Sequence, residues 1–115
     1  MEPLTLAKHI VDLASDKQAN DILMLDLRRV SLIADYFVIC SGASERQISA
    51  IHDDIVKDLR DNAHTRPTRQ EGKASSGWIL LDYGDVVVHI FAPAEREYYR
   101  LEDLWADAAP VVRLQ

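Results

Sequence analysis

Residues 78–91 read WILLDYGDVVVHIF, from Trp78 to Phe91, and two β-rich runs within them are separated by Gly84 and Asp85 alone. That spacing, with glycine first, predicts a two-residue type II′ hairpin turn. Tyr83 then lies opposite Val86, Leu81 opposite Val88 and Ile79 opposite Ile90, all on one side, which is a core face. The other side pairs Asp82 with Val87, Leu80 with His89 and Trp78 with Phe91. It is still mainly apolar, yet it holds an acid and an imidazole, whereas a solvated face would be more polar. Either a helix covers this second face and a hydrogen bond satisfies His89, or the face is a docking surface. Both hold if the cover reaches only one end.

Upstream, Pro3 suits a first helical turn, and Leu6, Ala7, Ile10, Leu13 and Ala14 recur at helical spacing, so residues 4–17 read as an amphipathic helix. Ile22–Leu27 and Tyr36–Cys40 read as strands. Ser44 with Gln47 forms a capping-box pattern, after which Ile48, Ile51, Ile55 and Leu59 mark one helical face ending near Asn62. His64 to Ser76, broken by Pro67 and Gly72, reads as a mobile loop with at most an edge strand near Thr68. Downstream, Pro93 stops the hairpin, and Ala94–Trp105 reads as one or two helical turns folding back onto the sheet, with Leu101 and Trp105 as core. The expected unit is one α/β domain over 1–115, with its core at about 4–105 and a short C-terminal tail at 106–115.

The 115 residues are 48% apolar and 28% charged, with a net charge of −6. Proteins that grip nucleic acid by its phosphates present clustered Lys and Arg, so free DNA or RNA is a poor partner. Residues 74–115 hold seven acids against three arginines, a balance of −4 that suits a basic surface. The loop 64–76 carries Arg66, Arg69 and Lys73, and contact with RNA there is weighed below a plain solvated loop. No apolar run is long enough for a membrane helix, and the first residues resemble neither a signal nor a transit peptide, so the expected setting is a bacterial cytoplasm.

Chemistry is sparsely signalled. Cys40 is alone in an apolar run and reads as a buried, inert thiol. Asp26, Asp82 and Asp85 do not have a spacing that favours a metal, and His9, His52, His64 and His89 are scattered. Gly42 and Ser44 precede a helix N-terminus that could hold an anion, but every capped helix looks this way. No catalytic constellation, metal site or cofactor is expected.

Three strings in order carry a resemblance: DYFVICSGASERQ (35–47), GWILLDYGDVVVHIF (77–91) and EREYYRLEDLW (95–105). Together they resemble the ribosomal silencing factor family, also called RsfS or Iojap. The resemblance implies a mixed β-sheet with flanking helices, of nucleotidyltransferase-like topology without the catalytic residues. Here Ser41-Gly42 stands in the reverse of the order nucleotidyltransferases need, and no Asp-x-Asp pair follows it. The implied partner is the large ribosomal subunit, bound through its fourteenth protein so that the small subunit cannot join and translation falls under nutrient limitation. Nucleotide-binding enzyme and homodimeric ribosome-assembly module are the alternatives.

Within that region the candidate contact residues are Trp78, Leu80, Asp82 and His89 on the second hairpin face, Tyr83 and Asp85 at the turn, and Glu97 and Tyr98 beyond it. Trp78 and Leu80 would be apolar anchors. Asp82, Asp85 and Glu97 would pair with Lys or Arg, and Tyr83, His89 and Tyr98 would join a ring to a polar handle.

Overall fold

Helix α1 (Pro3–Asp16) starts on a proline, whose fixed φ suits the first turn, and buries Leu6, Ala7, Ile10, Val11, Leu13 and Ala14 along one stripe. In this computed structural model, which describes residues 1–115, strands β1 (Asn20–Asp26) and β2 (Tyr36–Ser41) follow and pair antiparallel. Helix α2 (Glu45–Ala63) is capped by Ser44, whose side chain accepts the Gln47 backbone N–H. The reciprocal bond of the box is displaced by one residue, because Gln47 Oε1 accepts the N–H of Ala43 at 2.7 Å. Ile48, Ile51, Ile55 and Leu59 are the buried residues of α2, as its spacing predicts.

Beyond α2 come β3 (Arg69–Glu71), a 3-10 turn (Ala74–Ser76), β4 (Trp78–Asp82), β5 (Val86–Phe91), α3 (Pro93–Tyr99), α4 (Leu101–Leu104) and β6 (Ala109–Leu114). The stretch expected as a mobile loop thus holds a strand and a turn, joined to β4 where Gly72 crosses closely. A Cβ on Gly72, which has φ +81, would stand 2.0 Å from the Trp78 carbonyl oxygen. The turn between β4 and β5 agrees with a type II′ geometry: Gly84 has φ +88, Asp85 is not among the positive-φ residues, and the Tyr83 N–H donates to the Val86 carbonyl at 2.9 Å.

The six strands form one mixed sheet in the order β3-β4-β5-β2-β1-β6, with β2 and β5 parallel and the other neighbours antiparallel. Helices α1 and α2 pack on one face over Ile22, Met24, Val38, Cys40, Ile79, Leu81, Val86, Val88 and Ile90. Burial pushes the Cys40 thiol up to about 12. No helix is long and apolar enough to cross a membrane.

The tail expected after Trp105 is in fact β6, an outer strand paired with β1. Its sequence, APVVRL, hides the strand because Pro110 lacks a ladder donor, a lack tolerated at a sheet edge.

Candidate partner-binding surface

The second face of the hairpin is divided. Over β5, β2 and β1, the side chains of Val87, Phe91, Ile39, Leu23 and Leu25 are buried in a smaller core completed by Ala108, with Leu101 and Trp105 packed against it half-buried. Over β4 and β3 the cover stops. There Trp78, Leu80 and Asp82 alternate onto this face half-exposed, with Glu71 in register with Leu80 and Arg69 with Asp82. The covering helix and the open surface both exist, side by side on one sheet.

Trp78 is held firmly for a half-exposed residue. Its ring lies 4.8 Å from that of Phe91 and 4.6 Å from that of Tyr99, centroid to centroid. Its indole N–H donates to His89 Nδ1 at 3.2 Å. His89 is only 4% exposed and meets Phe37 edge-on, so it supports Trp78 from below and offers no exposed ring to a partner. Burial lowers its pKa to about 4, which keeps the ring neutral. An open cavity of about 360 Å³ lies beside Trp78, lined also by Glu71, Gly72, Ser76, Leu80 and Tyr99.

The other candidates are dispersed. Asp82 Oδ1 accepts the Gly84 N–H at 2.8 Å, and Oδ2 stands 3.9 Å from the Arg69 guanidinium, so this acid also serves the turn. Asp85 is exposed, and its carbonyl accepts the N–H groups of Asp35 and Tyr36, tying the hairpin turn to the start of β2. Tyr83 points to the opposite side, against the α1–α2 core, where burial of its hydroxyl pushes its pKa up to about 12. Tyr98 is 80% exposed and meets Tyr99 edge-on. Glu97 is exposed and paired with Arg100, on the rim of a separate charged cleft with Asp21, Arg96, Glu102 and Arg113. Trp78, Leu80 and Asp82 therefore share one surface, Tyr98 reaches it through Tyr99, and Glu97 and Tyr83 face elsewhere.

Sequence reasoning missed Tyr99 and Glu71. A helix beginning at Pro93 places Arg96 and Tyr99 three apart on one side, and that spacing could have selected Tyr99 over Tyr98 as the residue against the sheet. Glu71 carried no signal, because β3 is only three residues long.

At the start of α2 the N–H groups of Ala43 and Gln47 are taken by side chains. No three His, Cys, Asp or Glu side chains gather where a metal could be held. His9 bonds to Asp58, and His52 bridges Asp53 and Gln70.

The family model described as "RsfS: Ribosomal silencing factor during starvation" matches residues 1–115. A protein of Bacillus subtilis named "Ribosomal silencing factor RsfS" is 45% identical over 108 residues, covering 94% of this chain and 91% of the relative. A mouse protein named "Mitochondrial assembly of ribosomal large subunit protein 1" is 35% identical over 98 residues, covering 84% of this chain and 43% of the relative. A crystal structure from Chromobacterium violaceum superposes with a TM-score of 0.87 at 31% identity, covering 100% of this chain and 95% of the other. The two named relatives are thus a ribosomal silencing factor and a large-subunit assembly protein, and neither name is that of an enzyme.

Proposed function

This chain belongs to the ribosomal silencing factor family, and from that premise we propose that it represses translation by occlusion. It binds the large ribosomal subunit through the subunit's fourteenth protein, and its body then overlaps the ground on which the small subunit would dock. The observation that carries this reading is the half-open face at Trp78, Leu80 and Asp82: a firmly held indole and a half-exposed leucine beside carboxylates, in a chain of net charge −6. Ribosomal proteins are generally basic, so the charges match in sign. Occlusion needs no bond-making step. It needs a docking free energy that persists, and micromolar affinity is about 8 kcal/mol.

Trp78 and Leu80 supply the apolar anchors in this proposal, Asp82 and Asp85 pair with Lys or Arg, and Tyr98 adds a ring with a hydroxyl. Glu97, on the separate charged cleft, adds only to the negative field, and Tyr83 and His89 act from within by holding the hairpin and Trp78. The deciding measurement is co-sedimentation: the protein travels with free large subunits and is absent from joined ribosomes. Trp78→Ala and Asp82→Lys each weaken that binding and restore subunit joining. If both variants bind and block like the parent while their circular dichroism stays native, the proposed face is wrong.

One observation favours a second reading, self-association. Strand β6 is the outer strand of the sheet on its side, and Val111 and Leu114 are each 41% exposed along it. Light scattering of the free protein, with and without large subunits, separates a stable dimer from a monomer.

A further inference from the structure

The cavity beside Trp78 has two kinds of wall. Trp78, Leu80 and Tyr99 make its apolar part, and Glu71, in register with Leu80 on the neighbouring strand, brings a carboxylate beside it together with Gly72 and Ser76. The apolar side is set before any ligand arrives, because Trp78 is pinned by His89 and flanked by Phe91 and Tyr99. Glu71 is only loosely engaged: its Oε2 stands 3.4 Å from the Nε of Arg69, and both side chains are more than half exposed. A long side chain with an aliphatic stem and a cationic head matches both walls together. An aromatic or branched apolar side chain would satisfy the first wall and desolvate the carboxylate of the second without a partner.

We propose that this cavity receives one arginine or lysine side chain of a basic protein partner, its stem lying along Trp78, Leu80 and Tyr99 and its head meeting Glu71. The assignment rests on the reading of this face as the ribosome-binding surface, and it adds Glu71 and Tyr99 to the residues that make contact. It gives the surface a directional feature that net charge alone lacks, since one cation must sit at one depth beside one indole. Ordering costs on this side are small because the indole is already fixed.

The test is equilibrium binding of the full chain to purified bacterial large subunits at low and high salt. Glu71→Gln weakens binding about fivefold at low salt, the weight of a partly exposed ion pair, and the difference from the parent shrinks at high salt. Glu71→Lys weakens it more. Asp12→Asn, which removes an equal charge from the exposed side of α1, stays within about twofold of the parent, as a remote surface charge should. Tyr99→Ala weakens binding at both salt concentrations. If the parent protein binds no large subunits, the functional reading falls and the cavity assignment with it. If the parent binds and Glu71→Gln behaves like Asp12→Asn, only the cavity assignment falls. A loss for Glu71→Gln that persists unchanged at high salt overturns the cationic occupant in favour of an uncharged one.

Discussion

The indole N–H of Trp78 donates to Nδ1 of His89, 3.2 Å away, and this bond joins a half-exposed aromatic residue to one that is 4% exposed. It fixes the imidazole in the tautomer that carries its hydrogen on Nε2. The surface tryptophan is thereby oriented by a buried base that must stay neutral to accept.

The first prediction concerns pH. Burial lowers the His89 pKa from 6.5 to about 4, so below pH 6.5 the unfolded chain takes up a proton that the folded chain refuses. The stability His89 contributes is therefore fully present above pH 6.5 and is lost as the pH falls from there toward 4, at about 1.4 kcal/mol per pH unit. Urea denaturation at pH 7.5, 6 and 5 measures the slope. His89→Asn, which keeps an acceptor near the indole but does not titrate, shows a shallower slope over that window. Equal slopes would show that His89 is accessible to protons in the folded state.

Arg96 yields the second prediction. It is 7% exposed and donates to the Asp21 carbonyl and the Ser41 hydroxyl, each at 2.9 Å, and to the Glu102 carboxylate at 2.7 Å. Asp21 has φ 48 at a break in the β1–β2 register, so the arginine satisfies the carbonyl of a strained bulge and ties β1 and β2 to α4. Arg96→Ala leaves those partners unpaired and costs about 2–3 kcal/mol, discounted because Asp21 and Glu102 keep some contact with water. Hydrogen exchange should rise first in β6 and at the α4 cover. A loss below about 0.5 kcal/mol, the range of an ordinary surface change, would refute the role.

Arg96 also marks where the sequence stops being legible. The hairpin, α1, α2 and the divided second face follow from periodicity and a glycine turn, because each is decided within a dozen residues. Arg96 sits between Glu95 and Glu97 and looks like a solvated charge, and nothing local reveals that Asp21, 75 residues away, presents a carbonyl to it. The same limit hid β6, whose partner β1 lies some 90 residues upstream. At the candidate surface the alternation of β4 placed Trp78, Leu80 and Asp82 together correctly. It did not show that His89 is roofed over, because Phe37, which meets His89, comes from β2 and Tyr99, which flanks Trp78, comes from α3.

The third prediction concerns the β1–β2 loop. Leu32 and Ile33 are 106% and 85% exposed, while the loop around them is closed by the Leu27 N–H bond to the Asp35 carbonyl at 2.8 Å. Such side chains give nothing to the fold. Leu32→Ser with Ile33→Ser changes stability by less than about 0.5 kcal/mol and raises the concentration at which the protein begins to associate. A thermal melt and light scattering check both halves, and a loss above about 1 kcal/mol would mean that the tip packs in solution.

The last prediction separates steering from grip. With seven acids against three arginines in residues 74–115, the chain presents a negative field to a basic partner before contact. Raising salt from 0.1 M to 1 M shortens the screening length from about 10 Å to about 3 Å, which removes the long-range attraction and leaves close apolar contacts. Association with immobilised large subunits therefore slows steeply with salt, while dissociation changes little. Asp85→Lys, a charge reversal at an exposed position on the rim of the face, slows association more than it speeds dissociation. Trp78→Ala does the reverse, because a preformed anchor acts after encounter. On-rates that ignore salt would remove the acidic half from the recognition step and leave the whole of binding to the Trp78 face.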